Sequence, residues 1–176
     1  MRARRTAAVA LLAWVTVPAC LGTTPEEEAA DQAGPEDGDE GPTHRPGQPC
    51  LACHGADYTP GGEVFVVAGT VFVRASDERG VEGAHVEITD DVGAVFDVVT
   101  NRTGNFMISV DGGDLEEGWL RVDDAPVFPL HVRVYRGEQE QPMRSVVHRE
   151  GSCAFCHRRD GVDADSVGKV FLVEEP

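Results

Sequence analysis

Two segments of this 176-residue chain repeat one pattern, Cys-x-x-Cys-His. The first is Cys50-Leu51-Ala52-Cys53-His54 and the second is Cys153-Ala154-Phe155-Cys156-His157. The spacing puts two thiols one helical turn apart, with an imidazole directly after the second. Whatever fold the chain adopts must present two such turns and commit four cysteines to them.

The remaining cysteine count sharpens this. The chain has 5 Cys, and the one outside the motifs is Cys20. Disulfides inside the two Cys-x-x-Cys loops would be tight and would need no following His. A four-sulfur zinc site, one Cys pair from each motif, or an iron–sulfur site uses the same thiols, but neither explains His54 and His157 at one offset. Covalent attachment of two c-type haems explains all six residues. Cys50 and Cys53, and likewise Cys153 and Cys156, would add across the vinyl groups. His54 and His157 would each donate one axial nitrogen.

The N-terminus has the marks of an export signal. Arg2, Arg4 and Arg5 precede an apolar run over 7–17 that is too short to span a bilayer. Val17, Pro18 and Ala19 then lead into Cys20. Small residues before a Cys resemble a lipoprotein cleavage box, so residues 1–19 are expected to be a signal peptide and Cys20 a lipid anchor. Simple cleavage after Ala19 is the alternative. Leu21 lacks the acid that often signals inner-membrane retention, which points to the outer membrane, facing the periplasm or the cell surface.

The formal net charge is −16, and loss of the three leader arginines makes it −19. Nucleic acid and anionic headgroups are poor partners for such a surface. Much of the charge lies in 20–43, which carries Glu26, Glu27, Glu28, Asp31, Glu36, Asp37, Asp39 and Glu40 and no Lys or Arg. That stretch has too little apolar area to offset its ordering entropy. It is expected to be a disordered acidic tether, with one folded domain over 44–176.

Within the domain the periodicity is that of strands. Candidate strands cover 63–74, 84–89, 95–100, 105–110, 128–136, 143–148 and 167–173, with Gly69 as an expected bend or bulge. Val86 and Ile88 are expected to face inward, as are Leu130, Val132 and Val134. His131, Arg133 and Tyr135 are expected to face outward. Seven short strands separated by turns predict an all-β, antiparallel sandwich. The sequon Asn101-Arg102-Thr103 reads as part of a turn, and Trp119 as a packing residue in an acidic loop.

The segments GTVFV, GVEGAHVEI and TNRTGNFMI, between Gly69 and Val110, resemble the carboxypeptidase regulatory-like, or transthyretin-like, domain. The resemblance implies an immunoglobulin-like β-sandwich and by itself no activity. GSCAFCH followed by GKVFL, with haem motifs in the flanks of a sandwich, also resembles exported bacterial haem proteins of this layout.

If successive strands alternate in direction, the first motif precedes strand one and the second follows strand six, so both lie at one end of the sandwich. The distal haem ligands are then expected from residues near that end. His148 ranks first, followed by Met143 and His44. His85 and His131 read as solvated surface residues, and Met107 as core or solvent-facing. A Met ligand raises the potential relative to two His.

The functional expectation is a dihaem c-type cytochrome lipoprotein, an electron carrier rather than an enzyme, working with a redox partner protein. No Ser/His/Asp arrangement, phosphate loop or catalytic carboxylate pair stands out. The rival is a non-redox structural or binding lipoprotein stapled by zinc or disulfides. A haem-based sensor or peroxidase is a further alternative, which needs an open iron site.

Overall fold

The computed structural model describes residues 41–56, 63–110, 117–158 and 166–173. The expected leader, Cys20 and the acidic stretch up to residue 40 lie outside these residues. Among the described residues no helix is long and apolar enough to cross a membrane. The described residues are mostly β-sheet: they form eight strands in two four-stranded sheets, with one short α-helix, α1 (Leu51–His54).

The strands are β1 (Phe65–Phe72), β2 (His85–Thr89), β3 (Val95–Val99), β4 (Asn105–Ser109), β5 (Trp119–Arg121), β6 (His131–Arg136), β7 (Gln139–Pro142) and β8 (Val170–Phe171). One sheet has the order β5-β4-β1-β8 and the other β3-β2-β6-β7. They enclose a common apolar core, built from Val67, Val71, Phe106 and Ile108 on one side and Val86, Ile88, Val98 and Val134 on the other. Alternate residues of a strand point to opposite faces. Val86 and Ile88 are fully buried accordingly, while Glu87 between them pairs with Arg133 across the outer face at 2.7 Å. Leu130, Val132 and Val134 face the core and His131 is exposed, as the alternation requires.

The strand count and the uniform antiparallel pairing expected from sequence need correction. Among the described residues there are eight strands, and β1–β8 and β4–β5 pair in parallel. The expected strand over 143–148 contributes only a bridge between Val147 and Leu130. The partner of β6 is instead Gln139–Pro142, which returns through a turn at Gly137. That strand is mostly exposed and pairs through its backbone, so it carries no apolar alternation to read. Trp119 belongs to a strand, β5, rather than to a loop. The irregularity in β1 falls between Phe65 and Val67, whereas Gly69 stays in register opposite Phe106.

Asn101 is the hub of the β3–β4 turn. Its Oδ1 accepts from the backbone N–H of Thr103 and Asn105, both at 3.0 Å. Its Nδ2 donates to Pro42 O at 2.6 Å, and the residue is only 1% exposed, which leaves no room for a glycan. Thus Pro42, at the end of the stretch read as tether, is docked on the folded body.

Candidate functional site

Both Cys-x-x-Cys-His segments form a single helical turn of the same geometry. In the first, the N–H of His54 donates to Cys50 O at 2.9 Å; in the second, the N–H of His157 donates to Cys153 O at 2.9 Å. The spacing alone accounts for this, because an i to i+4 bond joins the first Cys to the His in either segment.

β1 brings the two turns together. Helix α1 lies on the face of the sheet that points away from the core, where Cys50 and Leu51 pack with Phe65, Ala68, Met107 and Trp119. The Trp119 ring meets Phe65 edge-on at 5.3 Å, and its Nε1 donates to Ser109 Oγ at 2.8 Å. The second turn lies along the side of the same strand opposite β4, the side that β8 also occupies. Ala68 N donates to Gly151 O at 3.0 Å, and Ser152 forms a parallel bridge with Ala68. The chain then leaves that side through the 3-10 turn Cys153–Phe155 and returns to it at β8, beside Val71 and Phe72. The two turns therefore meet by lateral addition to β1, one on its face and one along its side, rather than at one end of the sandwich as the alternation of hairpins would place them.

Two glycines permit this approach. A Cβ on Gly69 would stand 2.8 Å from Cys153 Cβ and 3.1 Å from its Sγ. A Cβ on Gly151 would stand 2.0 Å from Val66 O and 3.2 Å from Leu51 Cδ2, so Leu51 of the first motif lies beside the glycine two residues before the second. Sequence reasoning missed both roles; a glycine two residues before the motif was the available signal.

The thiols divide into two kinds. Cys53 and Cys156 are exposed, whereas Cys50 and Cys153 are partly covered. Desolvation, with smaller repulsion from Cys53, pushes Cys50 up to about 11. Desolvation also pushes Cys153 up to about 12, aided first by repulsion from the Cys50 thiolate. No disulfide joins the four. In the folded haem-free chain an alkylating reagent at pH 8 should therefore modify Cys53 and Cys156 first. Cys50, two units above the usual thiol value, carries about 100-fold less thiolate than an ordinary cysteine. Peptide mapping of a labelling time course checks this.

The two imidazoles share one hydrogen-bonding pattern. His54 Nδ1 lies 3.0 Å from Glu63 O, and His157 Nδ1 lies 2.8 Å from Gly168 O. A carbonyl can only accept, so each Nδ1 carries the proton and each Nε2 presents a lone pair. Gly168 has φ +82°, a left-handed conformation that favours glycine, where it turns its carbonyl to His157. Desolvation lowers the His157 pKa, opposed by the Gly168 bond, which keeps the ring neutral and able to ligate near pH 7. The His54 ring stacks on Phe65 at 4.6 Å.

The distal candidates are scattered. His44 lies beside the first motif, its ring 5.8 Å from that of His54. Met107 is buried in the apolar cluster beneath α1. Met143 is tied to the other sheet through Val132 O, and His148 is exposed beside the Val147–Leu130 bridge; no hydrogen bond or ring contact among the described residues links either to a motif. His85 stacks on Tyr135 and pairs with Asp97 on the outer face of the second sheet.

Among the described residues no three His, Cys, Asp or Glu side chains converge closely enough to hold a metal ion by themselves. A zinc staple built from the two Cys pairs would need such convergence. A c-type haem does not, because its thiols bind the ring edge and only the imidazole meets the iron. Ser152 Oγ is, among the described residues, the one fully buried side-chain polar atom with no hydrogen-bond partner, and it sits directly before Cys153. An orphaned hydroxyl costs about 1–3 kcal/mol. Ser152→Ala should thus leave the haem-free chain as stable as before or up to about 1 kcal/mol more so, read from denaturant melts.

The chain shows no significant match to any protein family, to any curated protein or to any solved structure.

Proposed function

We infer that this protein is an exported dihaem c-type cytochrome that carries electrons. One observation carries the reading: both motif histidines give Nδ1 to a backbone carbonyl, at 3.0 and 2.8 Å, on helical turns of identical hydrogen bonding. That is the outer-sphere support expected of a metal-ligating imidazole, which fixes the tautomer and raises the basicity of Nε2.

Cys50, Cys53 and His54 would hold one haem, and Cys153, Cys156 and His157 the other. When bound, the group supplies reversible one-electron chemistry. The protein contributes attachment, orientation by Glu63 O and Gly168 O, and the apolar surface of Phe65 and Trp119 against the first motif. The approach of Leu51 to Gly151 favours exchange of electrons between the two sites. The finer fold assignment, an immunoglobulin-like or transthyretin-like sandwich with haem-bearing flanks, belongs to this proposal and rests on the segments between Gly69 and Val110. So do the signal peptide over 1–19, lipidation at Cys20, outer-membrane placement and a redox partner protein. The acidic stretch would let the haem-bearing head reach that partner while it stays concentrated at the membrane.

The test is haem staining of a denaturing gel, with the intact mass, for protein exported by a host that installs c-type haem. A stained band and a mass raised by two haems are expected. Colourless protein with the mass of bare polypeptide, with or without lipid, would refute the assignment.

A further inference from the structure

We propose that His44 is the second axial ligand of the first haem, opposite His54. The inference rests on the haem reading and adds to it the identity of a ligand. The rings of His44 and His54 are 5.8 Å apart and inclined at 40°. With metal–imidazole bonds of about 2 Å, two imidazoles on opposite sides of one ion have centroids about 6.4 Å apart. The observed separation is close to that value.

The tautomers agree. His44 Nδ1 is bonded to Gly41 O, as His54 Nδ1 is to Glu63 O. Both rings therefore have Nε2 as the ligating nitrogen.

His44 is also held by built structure. Its carbonyl accepts from Asn105 Nδ2 at 2.9 Å, and Pro42 O accepts from Asn101 Nδ2 at 2.6 Å. Three residues on, Gly47 N donates to Thr70 Oγ at 2.7 Å, and that hydroxyl donates to Asn105 Oδ1 at 2.7 Å. Asn101, Asn105 and Thr70 are 1%, 4% and 5% exposed. Buried polar side chains aimed at the backbone of 42–47 give that segment one position. Arg45, next in the chain, has φ 47°, a conformation rare for residues with a Cβ. A tether that only passed the domain would need neither device. Asn105 is thus a positioning residue for His44, and neither His148, ranked first from sequence, nor Met143, ranked beside His44, is a ligand of this iron.

The experiment uses the two-haem protein, with optical spectra and carbon monoxide titration of the reduced form. Haem content is first confirmed by staining, so that loss of the haem reading is seen separately. His44→Ala should convert one of the two haems to high spin and raise carbon monoxide uptake by one equivalent per chain. Added imidazole should restore the low-spin spectrum. His44→Met, which keeps a ligand, should stay low spin and raise the midpoint potential of one haem. His148→Ala should leave the first haem low spin. Two bound haems with unchanged spin state and gas uptake in His44→Ala, or an unshifted potential in His44→Met, would overturn the assignment, as would a high-spin conversion of the first haem in His148→Ala.

Discussion

Cys53→Ala and Cys156→Ala should each remove one haem from protein made in a host that installs c-type haem, and the double variant should remove both. The two turns are separate units, each with its own Cys pair, its own His and its own carbonyl acceptor, Glu63 O or Gly168 O. Loss of Cys53 therefore leaves the second turn complete, and the converse holds for Cys156. Both side chains are exposed, so their truncation removes little packing, and the cost to the β-sheet body should be small. The pyridine haemochrome absorbance, with two equivalents per parent chain, should fall by half in each single variant and vanish in the double. If the thiols instead shared one metal centre, either single variant would abolish binding altogether. Stoichiometric zinc in the parent that is lost in the double variant, in place of haem, would overturn the assignment in favour of a thiolate zinc site.

Gly151→Ala should detach the second motif from β1. A Cβ at this position would lie 2.0 Å from the carbonyl oxygen of Val66 and 3.0 Å from its carbon. The obstacle is backbone, so no rotamer change relieves it, and the chain must move. The movement breaks the bond from Ala68 N to Gly151 O and the bridge from Ser152 to Ala68. Overpacking of this kind costs about 1–3 kcal/mol, and more where backbone is struck. In the haem-free protein the denaturation midpoint should fall accordingly. Cys153 should also lose its protection from alkylation and approach the reactivity of Cys156. An unshifted midpoint with Cys153 still protected would show that the docking at Gly151 does not hold the motif. Val167→Ala, at a residue 67% exposed, is the control and should change neither quantity.

Local chemistry explains what could be read in advance. The turn from Cys50 to His54, and its copy from Cys153 to His157, follow from spacing within five residues. The inward sets Val86, Ile88 and Leu130, Val132, Val134 follow from alternation, because one face of a half-buried strand must be apolar. Asn101 and Gly104 announce the turn between β3 and β4: the Asn side chain closes it, and Gly104 adopts φ +82°. Strands held chiefly by backbone bonds escaped notice. β7 is exposed and polar, and β5 and β8 are three and two residues long, too short to show a period.

The sequence by itself determined the two Cys-x-x-Cys-His turns, the alternation of the longer strands and the separation of an acidic stretch from an apolar-patterned body. These are properties of neighbours in the chain. Only the tertiary structure decided that the two turns meet on β1, one on its face and one along its side, and that His44 rather than His148 stands beside His54. The bonds that settle this join residues as far apart as Asn105 and His44, 61 positions in sequence. No period or motif encodes a pairing between a glycine without a Cβ at 151 and the carbonyl of Val66. Such contacts exist only once the strands have closed on their core, because their energy depends on desolvation and shape that the open chain lacks.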